Sequence, residues 1–214
     1  MEIPHIQLLS AAYSGDRHEV ERLIDLSADV MAIDDAGSGF NALFLAVQRG
    51  HANVLPPLLN VGGRPLLLTT LPNNVSCLYL ACQDGRLDIV RLLIASRDRD
   101  LIHMAPDRAG EHGCSCLYVA CKLGHVEIVE ELLQVGGDSL LAMTGKNEFT
   151  CLHIACESGH LNIIHALLRF RGPAILHKTT KTLKLSCLHI ACEHGRFHVV
   201  ELLLNVGGDA CCTS

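Results

Sequence analysis

SCLHIACEHG, residues 186–195, places two cysteines and two histidines within ten residues. On its own it invites a metal or redox reading. Helix geometry argues against both. At about 100° and 1.5 Å per residue, Cys187 and His189 project about 160° apart, while His189 and Cys192 project about 60° apart. One ion cannot take all three. The spacing also differs from the CxxC knuckles of structural zinc. A bridge from Cys187 to Cys192 fails too: residues five apart on a helix have Cα atoms roughly 8–9 Å apart, beyond the roughly 7 Å limit for a disulfide.

The stretch is one of six. It recurs as SCLYLACQDG at 76–85, SCLYVACKLG at 115–124 and TCLHIACESG at 150–159, with looser copies NALFLAVQRG at 41–50 and IQLLSAAYSG at 6–15. The aligned leucines Leu8, Leu43, Leu78, Leu117, Leu152 and Leu188 stand 35, 35, 39, 35 and 36 residues apart. A second apolar pattern follows each copy, such as RLDIVRLLI, HVEIVEELL and RFHVVELLL. A fixed period of this length signals stacked structural repeats.

Each repeat reads as two short helices joined by a glycine. Ser186 can cap the first helix by accepting from a free N–H of its first turn. Leu188, Ala191 and Cys192 recur at three and four residues, one apolar face. Gly195 lacks the Cβ that penalises a left-handed exit. The second helix buries Val199, Val200, Leu202 and Leu203, and Gly207 with Gly208 is expected to stop it, like Gly62–Gly63 and Gly136–Gly137. Neither helix is long enough to stand alone, so each repeat must bury its face on its neighbours.

TCLHIACESGHLNIIHALL and SCLHIACEHGRFHVVELLLNVGGD resemble the ankyrin repeat, whose unit of about 33 residues runs Thr-Pro-Leu-His-x-Ala-Ala-x-x-Gly-His-x-x-Ile-Val-x-x-Leu-Leu. The resemblance covers nearly the whole chain. It implies an all-α solenoid of stacked helix-turn-helix units with extended loops or hairpins between them. The expected organisation is a single domain over 1–214, with repeats near 1–34, 35–72, 73–111, 112–146, 147–182 and 183–214. Three departures stand out. Cysteines 77, 116, 151 and 187 occupy the proline position, and cysteines 82, 121, 156 and 192 that of the second alanine. The connecting segments are also long, above all 97–114, which places the hairpins there in question and favours extra helical turns around Leu66–Leu68 and Leu140–Met143.

Both cysteine columns read as packing, since free cysteine behaves as a small buried hydrophobe; thiol or metal chemistry between neighbouring repeats is the alternative. Cys114, Cys211 and Cys212 fall in expected loops and are the thiols more open to reaction. His153 and His189 stand at the family's histidine, where the resemblance implies a hydrogen bond to the adjoining loop. His51, His125 and His160 match its Gly-His. No nucleophile–base pair, phosphate loop or paired-carboxylate motif is readable, so no catalytic, cofactor or metal residue is assigned and no enzyme is expected.

The chain has 214 residues, 49% apolar, and a net charge of -6. No apolar run approaches the roughly 18–20 residues of a membrane span, and the acidic start does not suit a signal peptide. Eleven cysteines without export suggest a reducing, intracellular setting, cytoplasmic with the nucleus possible. Scarce aromatics and the negative charge argue against nucleic acid. Residues 1–35 carry eight acids against two bases, the whole net charge. Arg169, Arg171, Lys178, Lys181 and Lys184 form a basic stretch, read as a solvated loop or as a contact for an acidic partner.

The expected partner is therefore another protein. The resemblance implies binding through finger tips and the inner helix of each repeat. Just before each cap stand Phe40, Val75, Cys114, Phe149 and Leu185, an apolar row that marks a contact surface if it is exposed, the alternative being that the connecting segments bury it. The two positions before the mid-repeat glycine vary freely: Gln48 and Arg49, Gln83 and Asp84, Lys122 and Leu123, Glu157 and Ser158, Glu193 and His194. The leading expectation is a non-catalytic scaffold or adaptor. A regulatory or targeting segment of a larger channel, kinase or ubiquitin-ligase adaptor is one alternative, and a thiol or metal sensor another. Pro56 and Pro57 are expected to kink or shorten the second helix of repeat two and to weaken its junction with repeat three. The final repeat is expected to expose an apolar face or to belong to a longer chain; the protein is expected to be monomeric unless that face self-associates.

Overall fold

Five repeats open on a residue able to close the first turn of a helix. The computed structural model describes residues 4–34, 37–106, 114–145, 148–180 and 182–211. In it Asn41, Ser76, Ser115, Thr150 and Ser186 lie in extended backbone, and each accepts from the N–H three residues on. Those bonds satisfy donors the helix cannot satisfy itself. At the other end Gly50, Gly85, Gly124, Gly159 and Gly195 take φ between 64° and 90° and turn the chain back. The capping serine at 76 is fully buried.

The chain divides into two compact units, residues 1–108 and 109–214. The first contains α1 (Pro4–Ser14), α2 (Arg17–Asp25), α3 (Ala42–Arg49), α4 (Leu55–Leu67), α5 (Cys77–Gln83), α6 (Leu87–Ile94) and α7 (Arg99–His103). It also holds a hairpin of β1 (Thr70–Leu71) and β2 (Val75–Ser76), antiparallel, with Thr70 opposite Ser76. Pro72, Asn73 and Asn74 connect the strands, and both asparagines take positive φ, 68° and 59°, a region asparagine enters more readily than most residues. The second unit contains α8 (Cys116–Leu123), α9 (Val126–Ala142), α10 (Cys151–Ser158), α11 (Leu161–Arg171), α12 (Cys187–Glu193) and α13 (Phe197–Cys211). In each unit first helices pack on first helices; second helices pack on second helices from α2 to α4 to α6 and from α9 to α11, while α13 packs on the 3-10 turn at Pro173–His177. Leu43, Ala46, Leu78 and Ala81 fill the layer in one, and Leu117, Ala120, Ala155 and Ala191 in the other, all fully buried.

An extra helical turn after the second helix accounts for the length of the repeats. Gly63 (φ 53°, ψ -150°) and Gly137 (φ 53°, ψ -136°) break α4 and α9, and a short turn follows each break. Arg97 at φ 50° precedes α7, and Gly172 at φ 73° precedes a 3-10 turn at Pro173–His177. The turns around Leu66–Leu68 and Leu140–Met143 are thus present, and Leu66, Leu67, Leu101, Ile102 and Leu140 plug them into the stack. Arginines bind these turns across repeats: Arg64 pairs with Asp98 at 2.6 Å and with Asp100, and Arg171 pairs with Asp138 at 2.7 Å.

Two expectations about helix ends need correction. Pro56 and Pro57 do not break α4; they occupy its first turn, after a 3-10 turn at Ala52–Val54, where no backbone donor is required. The expected weakness between repeats two and three loses its cause. At the other end α13 continues through Gly207 to Cys211 rather than stopping at the glycine pair. On the last repeat Phe197 is 85% exposed and Leu204 57%.

The cysteine columns pack as pairs across repeats. Cys121 of α8 hydrogen-bonds Cys151 of α10, and Cys156 of α10 hydrogen-bonds Cys187 of α12. All four are buried, whereas Cys192 is exposed. Burial, then its bond to Cys151, pushes the Cys121 thiol well up. Donation to Cys187, then burial, pushes Cys156 up. Cys187, which accepts from Cys156, is lowered by that bond first, against the opposing effect of burial. Cys114, expected in an open loop, is buried; Cys212 and the side chain of Cys211 lie outside the described residues.

Candidate functional site

Neighbouring repeats are tied along the ends of their first helices, and the tie fixes the surface there. His51 Nε2 donates to the carbonyl of Tyr13 at 3.1 Å, and His160 Nε2 to that of Lys122 at 3.1 Å. Arg196 Nε reaches the carbonyl of Glu157 at 2.8 Å in the same register. The mid-repeat glycines allow this approach: a Cβ at Gly15 would stand 2.6 Å from the His51 ring, and one at Gly124 2.9 Å from His160. Within each unit these bonds tie the end of one first helix to the start of the next repeat's second helix.

Those pairs differ in what they present. Gln48 and Arg49 are exposed, with the Arg49 guanidinium 4.0 Å above the Tyr13 ring. Gln83 is half-buried and Asp84, the residue closing α5, is exposed. Lys122 is exposed and Leu123 is 45% exposed. Glu157 and Ser158 are half-buried, and Glu193 and His194 are exposed.

The apolar row before the caps is not the exposed stripe that sequence allowed. Val75 is 2% exposed and Phe149 8%, and Cys114 is buried as well. Connecting segments from further along the chain cover Val75 and Phe149. Asn74 Nδ2 donates to the carbonyl of Ala105 at 2.9 Å, which brings the next segment over the hairpin beside Val75. Beside Phe149, Glu148 Oε2 accepts from the N–H of Thr182 at 3.0 Å and from its hydroxyl. Phe40 is half-buried, edge-on to Phe44 with ring centroids 6.1 Å apart, and Leu185 is half-buried.

His153 organises the second of these coverings. It is fully buried. Its Nδ1 accepts from the N–H of Thr150 at 3.2 Å, which leaves the proton on Nε2 to donate to the carbonyl of Lys178 at 3.2 Å. The loop beyond Lys178 closes on itself: Thr180 N–H donates to the carbonyl of Leu185 at 3.0 Å, and Leu185 N–H to Thr180 Oγ1 at 3.0 Å. Thr180 is buried and Leu183, at the tip, is 72% exposed.

These contacts shape a groove of about 590 Å3 in the second unit. Phe149, Leu183 and Leu185 give it an apolar side, and Glu148, Glu157, Glu193 and His194 a polar one. Five of the residues expected from sequence therefore meet here: Phe149, Leu185, Glu157, Glu193 and His194. Leu183, Thr182 and Glu148 were missed, because they lie in a connecting segment whose path no periodicity reveals. The basic stretch is not one surface. Arg169 pairs with Glu130 at 2.5 Å and Arg171 with Asp138, both from the end of α11, while Lys178 and Lys184 are exposed and Lys181 lies outside the described residues.

Among the described residues no three of histidine, cysteine, aspartate and glutamate come together as a metal site, and no helix is long and apolar enough to cross a membrane. A family model described as ankyrin repeats (three copies) matches residues 8–103, 65–142, 99–179 and 136–214. No curated protein matches the chain.

Proposed function

Since the chain belongs to the ankyrin-repeat family, whose members are in general protein–protein interaction modules and typically non-catalytic, we propose that it is a non-catalytic adaptor that binds another protein. The contact surface is the inner-helix ends and adjoining loop tips. One observation carries this reading: the groove between α10 and α12 collects the variable residues of two consecutive repeats, Glu157, Glu193 and His194, beside an apolar wall. Bonds to backbone carbonyls tie neighbouring repeats while the side chains differ from repeat to repeat, so the fold sets the shape and the variable positions set the chemistry. The thiol-rich composition supports an intracellular setting for this adaptor.

A photoreactive residue placed at Glu193 tests the reading, with one at His165 on the exposed face of α11 as control. Crosslinking in the native cell to a defined protein from position 193 and not from 165 is the expected result. Crosslinking from 165 alone would move the contact to the outer helices.

A further inference from the structure

The groove carries enough chemistry to say what kind of segment fits it. Glu157 and Glu193 hold equivalent positions at the ends of α10 and α12, and among the described residues neither carboxylate meets a base. Glu148, at the rim, is committed to Thr182. His194 is the one basic side chain lining the groove among the described residues, and its Nδ1 is occupied by the carbonyl of Ile190 at 3.0 Å. Arg196 keeps its charge while its Nε donates to the Glu157 carbonyl, and the exposed Lys184 flanks Leu183 and Leu185, so the lining carboxylates of Glu148, Glu157 and Glu193 outnumber these two neighbouring cations. Leu185 and the exposed Leu183 line the same groove.

We infer that this groove takes an extended segment of the partner protein bearing two Lys or Arg residues about three positions apart and an aliphatic or aromatic side chain beside them. The inference rests on the adaptor reading above and adds the partner's chemistry. Charge complementarity selects the bases: two unpaired carboxylates over an apolar wall repel acidic segments and gain from basic ones. The spacing follows from the stack. Packed helix axes lie about 8–10 Å apart, and an extended chain advances about 3.1–3.3 Å per residue, so bases about three residues apart meet both carboxylates. The apolar residue then lies against Leu183 and Leu185, removing surface from water that the protein leaves exposed.

The test is a selection from a random peptide library displayed on phage, made against the intact chain. Recovered peptides are then measured by fluorescence anisotropy against wild type, the double variant Glu157→Gln/Glu193→Gln, and Leu183→Ser. All three positions are at the surface, and circular dichroism of each variant checks that the fold persists. The expected result is enrichment of Lys or Arg at a three-residue spacing with an apolar neighbour. The double variant should bind such peptides about tenfold more weakly, since each exposed pair contributes up to about 1 kcal/mol, and added salt should weaken wild type towards it. Acidic or uncharged peptides that lose affinity in Leu183→Ser would overturn the basic-segment inference and leave the adaptor reading standing. Peptides indifferent to all three substitutions, or no peptides, would overturn the groove itself. A dimer in light scattering that the double variant dissolves would make a second copy the occupant and also overturn it.

Discussion

At the residue scale, four of the cysteines that first suggest a ligand cluster are buried in two thiol–thiol pairs across repeats, Cys121 with Cys151 and Cys156 with Cys187, while Cys192 is exposed. The register of the columns at 82, 121, 156 and 192, and at 77, 116, 151 and 187, shows in sequence that they recur; which column meets which depends on how first helices stack. Their burial has a measurable consequence. Cys121 holds its proton in the fold to well above its ordinary value of 9.0, whereas in the unfolded chain it loses it near that value. Above about pH 9 the unfolded state therefore binds fewer protons than the folded one, and stability falls as pH rises. Below that value its contribution is fully present. The thermal midpoint of wild type should drop between about pH 8 and about pH 10, and in Cys121→Ala that drop should be smaller. An equal drop in both proteins would show that this thiol is not responsible. His153 illustrates the other side of legibility. Its slot was readable from the resemblance, but its bond to the carbonyl of Lys178, 25 residues on, fixes a loop that no local pattern describes.

At the scale of elements, caps and glycine stops were legible because they act within one turn: Ser186 on the N–H of His189, Gly195 at φ 64°. The extra turns around Leu66–Leu68 and Leu140–Met143 were legible as helical, whereas those at Arg99–His103 and Pro173–His177 were not. The prolines were misjudged because helical position decides their effect. Pro56 and Pro57 look interior when the second helix is counted from His51, yet a 3-10 turn moves its start to Leu55. The glycine break in α9 is a sharper case. Gly137 sits at φ 53°, ψ -136°, and an added Cβ there meets nothing within 4 Å. Any penalty of substitution is thus conformational rather than a clash. Gly137→Ala should lower unfolding free energy by roughly 1–3 kcal/mol in urea titration, mainly as a shift of midpoint. An unchanged midpoint would mean that the break between α9 and its extra turn costs no strain.

At the scale of the whole molecule, the repeats give a stacked framework and the connecting segments shape the proposed site. The family accounts for stacked helix pairs and for a general role in protein binding. What distinguishes this chain is where connecting segments fold over the row before the caps, burying Val75 and Phe149 and leaving Leu183 forward at a loop tip. Sequence supplied the variable carboxylates at 157 and 193, but not the segment at 180–185 that turns them into one side of a groove, since its closure relies on bonds from Glu148 and His153 in the preceding repeat. Binding of a protein segment between α10 and α12 is the central claim. Backbone hydrogen exchange of the intact chain, with and without its bound partner, tests it most directly. Protection should appear at 148–149, 182–185 and the ends of α10 and α12 near Glu157 and Glu193, with α9 and α11 unchanged. Protection confined to α9 and α11, with none at the groove, would contradict it.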